Sequence, residues 1–388
     1  MYRTAIIACG NIARVHARAW QDVPGHPVEI GSIADTHPDA RREFGDFFGV
    51  PEEKRYADYR AMLDQERPDF VDVCSWHGQH AEMVIAAAAR RPRAIICQKP
   101  MALSLGDAER MMLACERNGV KLVIAYQRPH HATWLKARDL IRDGAIGKVI
   151  QISLSDSTLL NTNSHNIQLA LFLTDHARAE WVMGAVERTT EIVERGFPAE
   201  DRSIALVGVE GGAQILVQGG FRGPYRTGQG ARVLGTEGIL ELGTERPPTE
   251  QLRSDGEMWQ PEGSSAKYND ERGWARYLSA TSNGWQQIEA PWHDAWVHQA
   301  QETIAWVEGR IDEPLSSAAR ALATQEVMMA LYESARKRRR IDLPLLTRVN
   351  PLQLMVENGD LPIEWPGAYE QRARIVRGEG MSWNEGAI

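Results

Sequence analysis

Two short stretches of the sequence carry residues of a type and spacing suited to chemistry on a nucleotide. The run Ala8-Cys9-Gly10-Asn11-Ile12-Ala13 fits the pattern G-x-G-x-x-G/A, with Ala8 standing where the first glycine would be. Gly10, the second glycine, lets backbone approach a pyrophosphate, and Asn11 and Ile12 open a helix whose first N–H groups face that anion. Asp35 follows 25 residues after Gly10, close to where an acid accepts from a ribose 2′-hydroxyl. A carboxylate there disfavours a 2′-phosphate, so NAD(H) is expected rather than NADP(H), with Arg41 and Arg42 as the feature that would suit the latter. In the second stretch, Ile95-Ile96-Cys97 leads into Gln98-Lys99-Pro100. A lysine at the carboxyl end of a parallel strand points into the crevice where ligands bind, and the proline fixes the turn after it.

Elements must exist to place these residues. Short apolar runs at Thr4–Cys9, Val28–Ala34, Phe70–Cys74, Ala94–Cys97 and Lys121–Ala125 read as strands. Helical patterns lie between them at 12–22, 40–48, 80–90 and 104–118, the last with Ser104 and Asp107 resembling a capping box and Gly119 as terminator. Repeated strand and helix predict a Rossmann-like, doubly wound parallel sheet over residues 1–125. After a helix at 134–142 the pattern changes to alternating runs at 149–155, 186–194, 204–209, 213–221, 231–234 and 239–242, joined by glycine-rich turns. This predicts an α+β second domain, 126–346, built on a large, mostly antiparallel open sheet with helices 165–182, 293–308 and 317–337 covering one face. Residues 244–292 read as long loops, and 347–388 as a C-terminal extension without strong periodicity.

Composition bounds the function. The 388 residues include 44 Lys and Arg against 52 Asp and Glu, a net charge of −8, with 43% apolar and 25% charged residues. That balance argues against a nucleic-acid binder and against disorder, and the run Arg336-Lys337-Arg338-Arg339-Arg340 reads as a solvated helix end. No run approaches a membrane span and no signal peptide is recognised, so a cytoplasmic protein is expected. Cys9, Cys74, Cys97 and Cys115 have neither zinc nor dense disulfide spacing and read as buried free thiols in a reducing compartment. His77, His80, His130 and His131 form H-x-x-H and H-H pairs, but neither spacing sets two histidines on one helical face, so no metal is expected. Twelve tryptophans outnumber nine tyrosines and seven phenylalanines, and nine of them lie beyond residue 150. Most read as anchors for loops and a subunit interface, with the stretch from Trp259 to Trp306 and the tail carrying Trp365 and Trp383 as candidates to cover a sugar site.

Several motifs together resemble the Gfo/Idh/MocA family of sugar and cyclitol oxidoreductases. They are Ala8 to Ala13, His80 at a helix start, Gln98-Lys99-Pro100, Ala125-Tyr126-Gln127-Arg128, Gly235-Thr236-Glu237-Gly238, and Tyr332 to Arg336 with Leu343-Pro344-Leu345. The family's Glu-Lys-Pro has Gln98 here, which removes a negative charge beside the lysine. Its Asp-x-Gly-x-His-x-x-Asp stretch is Asn161-Thr162-Asn163-Ser164-His165-Asn166-Ile167-Gln168, in which the histidine stays and both carboxylates have become amides. The resemblance implies that Lys99 and His165 contact the reacting hydroxyl and share the base and oxyanion-stabilising roles of hydride transfer. It implies that Ser75, His77, His80, Gln98 and Arg128 line the cofactor site with Gly10, Asn11, Ile12, Asp35 and Lys99. Tyr126, Arg128 and Asn161 join Lys99 and His165 around the substrate, Arg128 as a bidentate donor and Asn161 as an orienting amide that cannot act as a base.

The expected activity is therefore oxidation or reduction of a secondary hydroxyl of a sugar, glycoside or cyclitol with NAD(H). Two alternatives stand beside it: an NAD-dependent glycoside hydrolase working by transient oxidation, elimination, hydration and re-reduction, and a non-catalytic nucleotide-sensing regulator. Retention of Lys99 and His165 argues against the regulator, which needs no acid/base pair. The resemblance also implies a homodimer or homotetramer formed through the open sheet.

Overall fold

A computed structural model describes residues 1–26, 28–220, 230–244 and 273–370. The first six strands, β1 (Arg3–Ile7), β2 (Glu29–Ala34), β3 (Arg55–Tyr56), β4 (Phe70–Val73), β5 (Ala94–Cys97) and β6 (Lys121–Ile124), form one sheet in the order β3-β2-β1-β4-β5-β6. Every pairing in it is parallel. The chain leaves β1 toward one edge and returns to continue toward the other, so the carboxyl ends of β1 and β4 flank a topological switch point.

These strands read as nearly unbroken apolar runs because both faces are buried. Ile6, Ile33, Phe70 and Ile96 enter a core with Ala13, Ala17 and Trp20 of α1 (Asn11–Gln21) and Phe44 of α2 (Pro38–Phe48). Ala5, Ile7, Val71, Ile95 and Cys97 face the other way, against Met62 and Leu63 of α3 (Tyr59–Glu66), Val84 of α4 (His80–Ala88) and Met111 of α5 (Leu105–Asn118). The expected caps of α5 are present: Ser104 Oγ accepts the Asp107 N–H at 3.1 Å, and Gly119 takes φ 69°. All four cysteines are buried and free, and burial raises the thiols of Cys74, Cys97 and Cys115, the last to about 12.

This compact unit comprises Met1–His130 and, from far along the chain, Asp294–Leu322. The helix Ala295–Val307 does not cover the second sheet as its sequence position suggested. Its Ala300 and Ile304, one turn apart, instead join the core that holds Ala13, Ala17 and Trp20 of α1.

The second unit, His131–His293 with the chain from Ala323, holds a nine-stranded sheet. Its main strands are β7 (Val149–Asp156), β8 (Ala179–Glu187), β11 (Arg202–Val209), β12 (Gln214–Gly219), β13 (Gly230–Gly235), β14 (Gly238–Gly243) and β15 (Trp274–Ser279). All neighbours are antiparallel except β12 and β7. α6 (Ala132–Arg142) and α7 (Ser164–Leu173) pack on one face.

Three expectations change here. The helix expected over 165–182 ends at Leu173, because Asp175 and His176 turn left-handed and β-forming Trp181-Val182-Met183 follows in β8. The single strand expected over 186–194 breaks after Glu187, and β9 (Thr190–Glu194) joins a separate three-stranded sheet with β10 (Phe197–Pro198) and β18 (Trp365–Glu370). The loop region and the tail also contribute structure: β15, β16 (Gln286–Gln287), the helix Pro351–Glu357 and β18. Trp259, Trp383 and Phe221 lie outside the described residues. Among the described residues no helix is long and apolar enough to cross a membrane.

Candidate active site

All six strands of the first sheet run the same way, so the turns after β1, β2, β4 and β5 lie along one edge of it. The turn after β1 is shaped for an anion. Ala8 takes φ 73°, the left-handed conformation for which the motif ordinarily uses glycine, and its N–H donates to Ala34 O at 2.7 Å. Gly10 caps α1 in extended conformation with no side-chain cap and no acid in the first turn. A Cβ added to Gly10 would meet no protein atom within 4 Å. Packing within the chain therefore does not explain the glycine, and the helix N-terminus beside it is of the kind that suits an anion.

Asp35, after β2, is buried. Its Oδ2 accepts the Cys9 N–H at 2.8 Å and its Oδ1 accepts the His37 N–H at 2.8 Å. These bonds aim the carboxylate at the β1 turn. Arg41 donates to the Asp35 carbonyl, and exposed Arg42 pairs with Asp39 at 2.7 Å. The Arg41 guanidinium is thus bound to the backbone of the acid, and the residues present fit NAD.

A buried polar chain underlies the turn after β5. Asp72, in the middle of β4 and fully buried, accepts from Trp20 Nε1 and stands 3.2 Å from His16 Nδ1. His16 Nε2 is 2.7 Å from Gln98 Nε2, and Gln98 Oε1 accepts the Lys99 N–H at 3.2 Å. The directions agree only if the imidazole is neutral, donating from Nδ1 to Asp72 and accepting the Gln98 amide at Nε2. A glutamate at 98 would put an acceptor opposite that nitrogen and demand a doubly protonated ring. His80, fully buried, sets Nδ1 2.9 Å from the Pro100 carbonyl oxygen and Nε2 3.0 Å from that of Ser75, tying together the turns after β4 and β5. His77 and Ser75 are buried in the β4 turn, and Arg128 in the turn Arg128–His130 after β6. Tyr126 differs from expectation: its side chain is fully buried in the apolar core of the first unit and offers a ligand no surface.

His165 belongs to the second unit. It is the second residue of α7, whose ten residues are all buried, and α7 follows a single π-type turn, Leu159–Asn163, that includes Asn161. Such wide turns recur at functional sites. The Asn161 carbonyl accepts Ser164 Oγ at 2.7 Å, and Asn163 Nδ2 donates to the carbonyls of Ser157 at 2.8 Å and Gln218 at 3.1 Å.

Two buried carboxylates hold this turn from behind. Glu200 Oε1 accepts the Leu159 N–H at 2.6 Å and its Oε2 the Tyr332 hydroxyl at 2.7 Å, while Glu194 Oε2 accepts Thr158 Oγ1 at 2.6 Å. Burial raises the Glu200 carboxyl to about 7, and the neighbouring Glu194 adds to the rise. The sequence reading missed these acids, and it missed Asp72 and His16. For Asp72 a signal existed: a lone carboxylate inside Phe70-Val71-Asp72-Val73 must find partners.

Residues 2–126 match Gfo/Idh/MocA, described as an oxidoreductase family with an NAD-binding Rossmann fold. The chain is 30% identical over 376 residues to a D-apiose dehydrogenase of Paraburkholderia graminis, covering 92% of this chain and 94% of the relative. It is 26% identical over 254 residues to a myo-inositol 2-dehydrogenase of Thermotoga maritima, covering 61% of this chain and 74% of the relative. Among solved structures, an oxidoreductase from Agrobacterium radiobacter in complex with NAD+, L-tartaric acid and magnesium superposes with TM-score 0.67 at 23% identity, over 88% of this chain and 98% of its own. With one relative matched along nearly its whole length, and with the glycine turn, Asp35 and the Lys99 segment all on one sheet edge, the chain belongs to the Gfo/Idh/MocA family of NAD-binding oxidoreductases.

Proposed function

We propose that the protein is an NAD(H)-dependent dehydrogenase acting on a secondary hydroxyl of a sugar, glycoside or cyclitol. The observation that carries this reading is the common edge formed by the turns after β1, β2, β4 and β5, with Gly10 and Asp35 suited to the dinucleotide and Lys99 beyond them. The names of the D-apiose and myo-inositol relatives support the substrate class.

In this reading NAD+, when bound, supplies the hydride acceptor. Lys99 and His165 form the acid/base pair: one takes the hydroxyl proton while the other donates a hydrogen bond to the oxygen as charge develops on it. Asn161 and Arg128 hold neighbouring hydroxyls, and Tyr126 acts as a packing anchor. The second unit, residues 131–293 with the chain from Ala323, forms the substrate and oligomerisation domain. Free, buried thiols support a reducing, cytoplasmic setting.

We also infer that a second copy of the chain docks on the open face of the nine-stranded sheet. There Met183 and Leu216 flank Leu206 in register, and Met183, Ile204 and Leu234 are exposed, more apolar surface than scattered single side chains present. Met183→Glu should shift the mass measured by light scattering toward the monomer, and an unchanged mass would remove the inference.

Purified protein incubated with NAD+ and a panel of sugars, glycosides and cyclitols should form NADH in step with substrate oxidised. Release of an aglycone with only catalytic cofactor would overturn the dehydrogenase reading in favour of redox-assisted hydrolysis. Asp35→Ala should weaken NAD binding in calorimetry, and unchanged affinity would remove the ribose contact.

A further inference from the structure

Away from these turns, three side chains of metal-ligating type converge within the first unit. His130, fully buried, closes the turn after β6. His298 and Glu302, four residues apart on the helix Ala295–Val307, share one face of it. One ligand atom of each lies within 4.8 Å of the others. His130 Nδ1 stands 3.0 Å from His298 Nδ1 and 3.8 Å from Glu302 Oε2.

The surrounding hydrogen bonds settle what these atoms offer. The Tyr126 carbonyl can only accept, so Ser316 Oγ gives it its single proton, at 2.8 Å. Ser316 Oγ must then accept from His130 Nε2–H, also at 2.8 Å. A neutral His130 therefore carries its proton on Nε2 and turns the Nδ1 lone pair toward His298 and the carboxylate. That lone pair can accept a proton from His298 Nδ1, 3.0 Å away, or ligate a cation that His298 and the carboxylate share. The frame around that point is fixed: Glu302 Oε2 accepts the Leu315 N–H at 2.8 Å, and the Asp294 carboxylate caps the helix through the N–H groups of Trp296 and Val297.

We propose that His130, His298 and Glu302 bind one divalent transition-metal cation of the zinc type. Two imidazoles and one carboxylate suit zinc and its first-row neighbours rather than magnesium or calcium, whose ligands are oxygens. Bonds of about 2.0–2.2 Å set adjacent ligands of a tetrahedral centre about 3.3 Å apart, and the observed 3.0 and 3.8 Å bracket that separation. Ser316 is the outer partner that metal-bound histidines require. The cation ties the turn after β6 to the helix Ala295–Val307 and has a structural role. Local spacing could not reveal it, because His298 lies 168 residues from His130.

Chelator-treated, dialysed full-length protein is titrated with ZnCl2 by calorimetry and, separately, with Co2+ while its visible absorption is recorded. One equivalent per chain is expected, with the intense bands of low-coordinate Co2+. His298→Ala and Glu302→Gln should each lower affinity at least about tenfold and remove the bands, with NAD affinity unchanged as the control for folding. If His298→Ala does not fold, the isosteric Glu302→Gln decides. Binding weaker than about 100 µM in the wild type, or variants that bind as the wild type does, overturns the site and leaves a proton shared between the two histidines.

Discussion

The supports of the two candidate catalytic residues are built from opposite materials. Beneath Lys99 lies a chain with a single charge, Asp72, linked through a neutral imidazole and a neutral amide to the lysine backbone. Behind His165 lie two buried acids, Glu194 and Glu200, which grip the first residues of the π-type turn. The carboxylates absent from Asn161 and Gln168 thus have counterparts placed behind the turn rather than in it. The first arrangement positions the lysine backbone through one carboxylate and two hydrogen-bonded side chains, whereas the second contains a carboxyl that burial raises to about 7.

Substitutions can break or sharpen this contrast. The largest effect is expected from Lys99→Ala, which should cut kcat by about 10²–10⁴-fold while calorimetric NAD affinity changes little; full activity would end the assignment. Next, Asp72→Ala leaves the donors of Trp20 and His16 buried without their acceptor and should destabilise the fold by about 3–5 kcal/mol in denaturant titration. Glu200→Gln tests the other support. The Glu200 carboxyl is raised to about 7 from an ordinary value of 4.5, so its contribution to stability is fully present below about pH 4.5 and is lost as pH rises through 7. The variant should melt like the wild type near pH 4.5 and be more stable near pH 8, by up to about 3 kcal/mol; parallel melting curves would show that the carboxylate is not strained. Gln98→Glu should shift the lysine limb of the pH–rate profile upward by up to about one pH unit, since the new charge favours the ammonium. The smallest effect is expected from Ala8→Gly, which relieves a left-handed alanine and should stabilise by about 0.5–1 kcal/mol in thermal unfolding.

How much could be read from the chain itself follows the same division. The nucleotide domain was legible because its signals are local: an apolar run, a glycine turn, a helix cap at Ser104, and an acid at the end of the next strand. Lys99 and His165 were legible as motif positions. Their supports were not, because Asp72 and His16, or Glu200 and Tyr332, meet only through the fold, 56 and 132 residues apart. The helix Ala295–Val307 was found with nearly correct ends, yet its apolar stripe did not say which surface it covers. The break after Leu173 was missed because buried helices and buried strands are equally apolar, and the left-handed pair Asp175 and His176 has no strong signature.

The return of Asp294–Leu322 to the first unit has a consequence for how the protein is made. On the ribosome, residues 1–130 emerge first, but the side of α1 that meets the helix Ala295–Val307, where His16 lies against Trp296, stays uncovered until the chain has been extended past Ile304. At about 5–20 residues per second that interval is about 9–35 seconds. Throughout it the nascent nucleotide domain exposes an apolar helix face, so early folding calls for a chaperone or a delay. A gene fragment ending before Asp294 should yield an aggregating product rather than a smaller nucleotide-binding protein.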